Sequence, residues 1–242
     1  MNTNTRPYIV LNNVSSRSMQ GLLISKLPPI SKPQQRAQFE NIDGRDGDIV
    51  TPLGFAAYDK TVEIALTYDY DIDDIIEYFN SEGKVVFSNE PEKYYKYAIY
   101  NQIDFERLIR FKKAKVVFHV QPFKFSDTEA EKTFTFSAGE SKSLTIRNNG
   151  NIYSRPTITI TGSGNINLNI NGAQILSLSL LTNQTIIIDA AEMNATSEDG
   201  STLLNRRVTG DYDKIILRSG SNTITFTGSI SKISINNYSR WI

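Results

Sequence analysis

The segment NINLNING, residues 165–172, decides the fold of the second half of the chain. In it Ile166, Leu168 and Ile170 alternate with asparagines, which is the pattern of a strand with one dry face and one wet face. Many such strands at short spacing predict an antiparallel β-sandwich, and no helix is predicted after Lys132. The other segments of this kind are KTFTFSA, KSLTIRN, PTITITGSG, QTIIIDA, KIILRSGSN, TITFTGS and KISINNY.

The first half is mixed in character. Its segment TVEIALTY alternates and predicts a strand that buries Val62, Ile64 and Leu66. KVVFSN, KYYKYAIYN and AKVVFHVQPF are also predicted to be strands. This half is therefore expected to be a β-sheet domain with one packed helix.

The predicted helix lies in DYDIDDIIEYFNSEG, residues 69–83. Asp71 or a neighbour is expected to cap its first turn, and Gly83 is placed to end it. One apolar stripe at helical spacing is predicted to pack on the sheet; it consists of Ile72, Ile75, Ile76 and Phe79.

Composition changes near residue 130, where charged and aromatic residues give way to Ser, Thr, Asn, Gly and Ile. The stretch QPFKFSDTEAEKT, residues 121–133, has the proline and the polar run of a linker. We therefore predict two domains, residues 1–132 and residues 133–242. The fold class is mainly β, with one helix in the first domain and a sandwich in the second.

The composition excludes several classes of function. The chain has no cysteine, so thiol catalysis, cysteine zinc sites and disulfides are ruled out. Its 26 basic and 26 acidic residues cancel, which disfavours specific nucleic-acid binding. The first residues lack a signal-peptide pattern, and no run of about 18 apolar residues is present. We expect a soluble protein without a membrane partner.

The segment KYYKYAIY, residues 93–100, interleaves lysines with aromatic residues. In a strand, Tyr95, Tyr97 and Ile99 would face one way and pack in the core. The opposite side would carry the candidate protein interface, Tyr94, Lys96 and Tyr100, since interfaces favour Tyr. A nucleic-acid platform is the alternative, and the neutral charge disfavours it.

No convincing catalytic, cofactor or metal site follows from the sequence. His119, the single histidine, lies in an apolar strand and is predicted to be packed or hydrogen-bonded rather than catalytic. Asp43, Asp46 and Asp48 lack the spacing of a calcium loop and are predicted to lie in a turn. TGSGNINLNING is glycine-rich, but a predicted strand follows it where a phosphate-binding loop would have a helix. Its glycines are therefore interpreted as residues of hairpin turns.

Glycoside hydrolysis would need a pair of carboxylates, for which the candidates are Asp211 with Asp213 and Asp189 with Glu192. Such pairs occur by chance in any chain with many acids, so we predict that the protein is not an enzyme. A sugar-binding sandwich would also offer aromatic platforms. The second half has only a few aromatic residues that fit that role: Tyr153, Tyr212, Tyr238 and Trp241.

The order of motifs along the chain resembles the distal tail protein family of siphophages. In the first half the matching features are Arg45-Asp46-Gly47, the stretch from Val86 to Tyr95, and the strand ending in Pro122-Phe123. In the second half, SRPTITITGSGNINLNING and the run from Gly210 to Ile242 match the family's galectin-like sandwich, including a Trp near the end.

The resemblance implies a structural role in the virion, at the tip of the phage tail, for a protein made in the host cytoplasm. Family members form a ring, usually hexameric and sometimes stacked, through their N-terminal domains. The ring joins the tail tube protein to the tail-associated tip protein, and often to baseplate or receptor-binding proteins, while DNA passes through its channel. On this interpretation Tyr94, Lys96 and Tyr100 face protein. The alternative function is binding of host cell-wall sugars by the sandwich.

Overall fold

The computed structural model describes residues 6–137 and 142–242. Within these described residues the chain forms two compact units, the first ending at Asp127 and including Ile242, the second extending from Thr128 to Trp241. Sequence analysis placed the boundary after Lys132. The proposed linker, residues 121–133, begins inside a strand that runs to Ser126, because Pro122 and the aromatic residues after it remain in the sheet.

The first unit is built on one antiparallel sheet. Its strands are β1 (Ile9–Leu11), β2 (Val14–Ser15), β3 (Leu22–Lys26), β6 (Tyr58–Leu66), β7 (Glu82–Phe87), β8 (Lys93–Ala98) and β9 (Lys113–Ser126). They are ordered β2-β1-β7-β8-β9-β6-β3 in the sheet. As predicted, Val62, Ile64 and Leu66 of β6 are buried in the core of this unit.

Helix α1 (Ile72–Phe79) confirms the predicted helix and its cap. The Asp71 side chain accepts hydrogen bonds from the backbone N–H groups of Asp73 and Asp74. The buried stripe differs from the predicted one: Tyr78 is buried, whereas Ile76 is 38% exposed. Burial of Tyr78 is tolerated because its hydroxyl donates to the carbonyl oxygen of Val14, at 3.2 Å.

Two further predictions for the first unit were wrong. Gly83 does not end α1, whose C-cap is Asn80, but lies in β7 with a φ of 135°. A second helix, α2 (Phe105–Phe111), is also present. It was missed because its seven residues make only two turns, too few for an apolar period to be distinct, although Leu108 is fully buried. Asp104 caps it, and Lys112 ends it in the left-handed region.

A separate two-stranded sheet is inserted between β3 and β6. It is a hairpin of β4 (Gln35–Asn41) and β5 (Asp48–Phe55). Phe39 lies opposite Val50, and Asn41 lies opposite Asp48 next to the turn. Asp43 and Asp46 lie in that turn, as predicted, whereas Asp48 is the first residue of β5.

The second unit is a seven-stranded antiparallel sheet folded on a single core. Three long strands dominate it: β12 (Thr157–Ile170), β13 (Ala173–Asp189) and β16 (Gly220–Asn236). The short strands are β10 (Lys132–Thr135), β11 (Lys142–Asn148), β14 (Asn194–Ser197) and β15 (Val208–Gly210). A further short strand, β17, comprises Arg240–Trp241, and the described residues include two 3-10 turns, Asn205–Arg207 and Tyr212–Lys214.

Each long strand contributes to two half-sheets. The pairings of β12 shift register between Gly162 and Gly164 on the β13 side and between Ser163 and Asn167 on the β16 side. β10 and β14 extend one half, while β11 and β15 extend the other. Apolar residues of both halves share one buried cluster, so the sandwich is made by bending strands rather than by stacking separate hairpins.

This bending corrects two predictions. PTITITGSG and NINLNING are one strand, and TITFTGS and KISINNY are also one strand, so Gly162 and Gly164 mark a bulge rather than a hairpin. Most of KIILRSGSN is not a strand: Lys214 ends a 3-10 turn, Leu217 makes an isolated bridge to Ser154, and only the last three residues belong to β16. Ile215 and Leu217 are both buried, and their spacing of two residues resembles the alternation of a strand.

Candidate protein-interaction surface

The hairpin of β4 and β5 exposes apolar side chains on a projecting element. Phe39 is 66% exposed and Val50, directly opposite, is 55% exposed. Ile42 and Leu53 are exposed as well. An isolated two-stranded hairpin is only marginally stable in water, and paired exposed apolar residues of this size mark interaction sites. The hairpin is therefore the strongest candidate contact surface on the described residues.

Sequence reasoning missed the apolar residues of this hairpin. The signal was present: Ala37, Phe39, Val50 and Pro52 share one face of the hairpin. Alternation indicates which residues share a face, but it does not reveal that the face is left uncovered within the chain. Only the structure shows that exposure.

A strap of backbone at the root of the hairpin, residues 28–31, is held by three side chains, of which Lys60 is buried. The Lys60 ammonium donates to the carbonyl oxygen of Pro29 at 2.8 Å, and the Asn89 amide donates to that of Pro28 at 3.1 Å. The Tyr58 hydroxyl donates to the carbonyl oxygen of Ser31 at 3.4 Å. β4 begins a few residues later, at Gln35, so these bonds fix where the hairpin leaves the unit.

Lys60 belongs to a buried charged cluster. Its burial lowers its pKa to about 8, and the neighbouring Glu90 carboxylate opposes that shift. Glu90 also pairs with Lys124, at 2.9 Å, with both side chains almost buried. The Tyr95 hydroxyl donates to Glu90 at 3.4 Å, and burial raises the pKa of this tyrosine. The cluster holds β6, β8, β9 and the strap together by charge-assisted bonds.

Of the three candidate interface residues predicted from sequence, two lie on the strand face where they were expected and Tyr100 does not. Tyr94 and Lys96 are on the outer side of β8, where Tyr94 stacks on Phe125 with ring centroids 5.5 Å apart. The Lys96 ammonium lies 5.7 Å from the centre of the same Phe125 ring. Tyr100 lies beyond the end of β8 and is 78% exposed, so it does not continue the strand face. Tyr95 and Tyr97 are buried, as predicted.

His119 lies in β9 opposite Asp59 of β6. Its Nδ1 atom is 2.8 Å from the Asp59 carboxylate, and both side chains are about half exposed. This is a cross-strand polar pair on an open face, so the prediction that His119 is hydrogen-bonded is confirmed.

The carboxylate pairs considered for glycoside hydrolysis have structural partners. Asp189 accepts from the backbone N–H groups of Ala191 and Glu192, which forms a turn. Asp211 caps the 3-10 turn at Tyr212–Lys214, and Asp213 pairs with Arg155 at 3.2 Å. These contacts give each aspartate a role in holding the chain.

Two features of the described residues bear on binding chemistry. No group of three or more His, Cys, Asp or Glu side chains lies together in a way that suits a metal ion. Among the same residues, neither α-helix has the length and apolar character needed to span a membrane.

No protein-family model and no curated protein sequence matches the chain. Its fold does match solved structures. The crystal structure of the Dit protein of phage SPP1, described as a paradigm of the hub adsorption apparatus in phages that infect Gram-positive bacteria, aligns with a TM-score of 0.67 at 14% identity. The alignment covers 96% of this chain and 99% of that chain.

Two structures of the phage p2 baseplate in its activated conformation also match. The form with Sr aligns with a TM-score of 0.54 and the form with Ca with 0.53, each at 10% identity. Both alignments cover 95% of this chain and 96% of the matched chain. The chain therefore has a Dit-like, mainly β fold along nearly its whole length, which confirms the fold class and the resemblance found in the sequence.

Proposed function

We propose that this chain is a structural hub protein at the distal end of a long, non-contractile phage tail. Copies of it form a ring, hexameric by analogy with the family, that joins the tail tube to the tip, baseplate and host-adhesion proteins. DNA leaves through the centre of that ring. The role is mechanical, and no catalytic step is assigned to it.

One observation carries this proposal: the match to the SPP1 Dit protein spans both chains almost from end to end. Agreement over both units, and not over a common sandwich alone, is what favours the hub over other β proteins. A sandwich by itself hosts many unrelated functions.

The surface of the first unit supports assembly. An exposed hairpin with Phe39 opposite Val50 is suited to contact a neighbouring protein. The balance of 26 basic and 26 acidic residues suits a channel that DNA must leave, because phosphate binding is driven by positive charge.

The test begins with the full-length chain, measured by size-exclusion chromatography with light scattering. Six copies of the 27.2 kDa chain weigh about 163 kDa. We expect that species or its stacked double, and a closed ring with a central channel in electron micrographs. If the chain alone is monomeric, the measurement is repeated with the tail tube protein added.

A closed twofold dimer would contradict the proposal, because an isologous contact uses up the surface that a ring needs for its next copy. The absence of any ring with the tube protein present would contradict it as well. Gold-labelled antibody against the chain should mark the distal end of intact tails, and labelling elsewhere on the virion would exclude the assigned place.

A further inference from the structure

A second exposed surface in the first unit complements the hairpin. The basic helix surface, residues 105–115, comprises α2 and the start of β9. Ile109 is 42% exposed and Phe111 is 64% exposed, with the Arg110 guanidinium 5.6 Å from the Phe111 ring centre. These residues include five Lys or Arg and one acid, Glu106. The surface is thus apolar and strongly basic.

The hairpin surface, the outward side chains of residues 35–55, has the opposite charge. Residues 40–48 around its turn contain four acids and one base, Arg45. Their acidic side chains are exposed, and they adjoin the exposed Phe39 and Ile42. The hairpin surface is therefore apolar and acidic.

We propose that the hairpin surface of one copy docks on the basic helix surface of the next copy. The inference deepens the tail-hub function proposed above and rests on it for the identity of the occupant. Each surface supplies what the other needs: Phe39 and Val50 meet Ile109 and Phe111, while acids at the turn meet arginines of α2. Such complementarity raises both the association rate and the specificity of a contact.

The two surfaces are different parts of the chain, so their contact is heterologous. Each copy offers one hairpin and one helix, and the contact repeats from copy to copy until it closes a ring or continues as a filament. The copies are therefore arranged head to tail, all pointing the same way around the assembly. The outer tips of both surfaces are solvent-exposed, so the contact should weaken as salt rises, because the Debye length is only about 8 Å at physiological ionic strength.

Charge reversal tests the pairing directly. The hairpin variant Asp46→Lys with Asp48→Lys makes both surfaces basic, and the helix variant Arg107→Glu with Arg110→Glu leaves α2 with three acids and no base, opposite an acidic hairpin. Each alone should weaken self-association at least about tenfold, since like charges across an interface cost several kcal/mol. Combining all four changes in one chain should restore assembly, because the surfaces become complementary again.

Mixing the two charge variants gives a sharper result. The hairpin of either variant then complements the helix of the other, so an alternating ring should form from two chains that do not assemble separately. Glu192→Lys with Glu198→Lys, exposed acids of the second unit, is the matched control and should assemble like the wild type. Circular dichroism of each variant checks that its strands are retained.

The absence of native cysteine allows an independent test. Phe39→Cys and Ile109→Cys in one chain should give a ladder of disulfide-linked oligomers on mild oxidation. A mixture of the two single-cysteine chains should give mostly heterodimers. Tyr68→Cys with Ile109→Cys is the control, because Tyr68 is fully exposed and lies outside both surfaces.

Assembly lost in each charge variant and regained in the mixture, together with the Phe39–Ile109 ladder, is the expected result. Rings kept by both charge variants would overturn the docking while leaving the tail-hub function intact. A chain that forms rings, alone or with the tail tube protein, but gives no Phe39–Ile109 ladder would also overturn this docking and leave the hub function intact, whereas the absence of rings under both conditions would overturn both.

Discussion

The Lys60 ammonium donates a hydrogen bond to the carbonyl oxygen of Pro29 at 2.8 Å, and Lys60 is only 4% exposed. A buried lysine thus holds the strap from which the β4–β5 hairpin projects. Burial of its charge is unfavourable, and nearby Glu90 offsets part of that cost. The position of the β4–β5 hairpin depends in this way on a charged group inside the first unit.

The stability of the chain should depend on Lys60 as pH rises. Its pKa is lowered from 10.5 to about 8 in the fold, so the unfolded chain binds more protons between about pH 8 and pH 10.5, and stability from this group increases with pH there. Lys60→Met should remove that increase. Between pH 7 and pH 9 the free energy of unfolding of the wild type should gain about 1 kcal/mol relative to the variant.

The measurement is urea unfolding of both chains at several pH values up to 9, below the range in which tyrosines of the unfolded chain ionise. Tyr58→Phe is the control: it loses the bond to Ser31 but keeps Lys60, so its pH slope should match the wild type. Parallel curves for wild type and Lys60→Met would show that Lys60 does not titrate in this range.

The buried pair of Glu90 and Lys124 should be far more important than a surface pair. Glu90→Gln leaves Lys60 and Lys124 buried without a counter-charge and should cost about 3–5 kcal/mol of unfolding free energy. Lys84→Met breaks the ion pair with Asp127. Both of these side chains are about one-third exposed, so the variant should lose about 1 kcal/mol or less of unfolding free energy. Equal losses in the two variants, measured by denaturant unfolding, would contradict this assignment.

Gly162 should be less replaceable than Gly164, although both lie in the bulge of β12. An added Cβ at Gly162 would lie 2.5 Å from the carbonyl oxygen of Ser229, while at Gly164 it would meet nothing within 4 Å. Gly162→Ala should therefore cost about 1–3 kcal/mol by overpacking. Gly164→Ala should cost roughly 1 kcal/mol, because a φ of 71° is strained for alanine.

Thermal unfolding of the two glycine variants gives the comparison, with Gly164→Asn as a control, because asparagine tolerates the left-handed region better than alanine does. We expect the order wild type, Gly164→Asn, Gly164→Ala, Gly162→Ala from most to least stable. A Gly162→Ala chain as stable as wild type would mean that the two bent strands separate easily at this point.

Alanine variants of Tyr94 and Tyr100 should differ in their effect on stability, and together they should impair assembly. Tyr100→Ala should change the unfolding free energy by no more than about 0.5 kcal/mol, since Tyr100 is 78% exposed. Tyr94→Ala should cost about 1 kcal/mol, because it loses the stacking on Phe125. The double variant should assemble poorly in light scattering. Unchanged assembly would remove these residues, and Lys96 between them, from the interface.

Much of the fold could be predicted from local pattern. The alternation of Ile166, Leu168 and Ile170 places three buried residues on one face, and all three are buried in the structure. Ile75 and Phe79 fix the buried side of α1, and Asp71 fixes its start. These features follow from neighbours in the chain, so the sequence alone carries them.

Other features depend on residues that are distant in sequence. The two short segments on either side of Gly164 become one bent strand because β13 and β16 pair with both halves of it. Helix α2 exposes Ile109 and Phe111, which a periodic pattern would have buried. No local rule distinguishes an apolar residue in a core from one kept for a partner.

The sequence by itself therefore determined the β class, the first helix and the two-part organisation, because strand and helix periods are set by the local backbone geometry. Only the tertiary structure decided that Lys60 is buried against Pro29 and that Phe39 and Val50 are exposed as a pair. Both outcomes depend on which distant strands come together, since burial is a property of neighbours in space and not of neighbours in the chain.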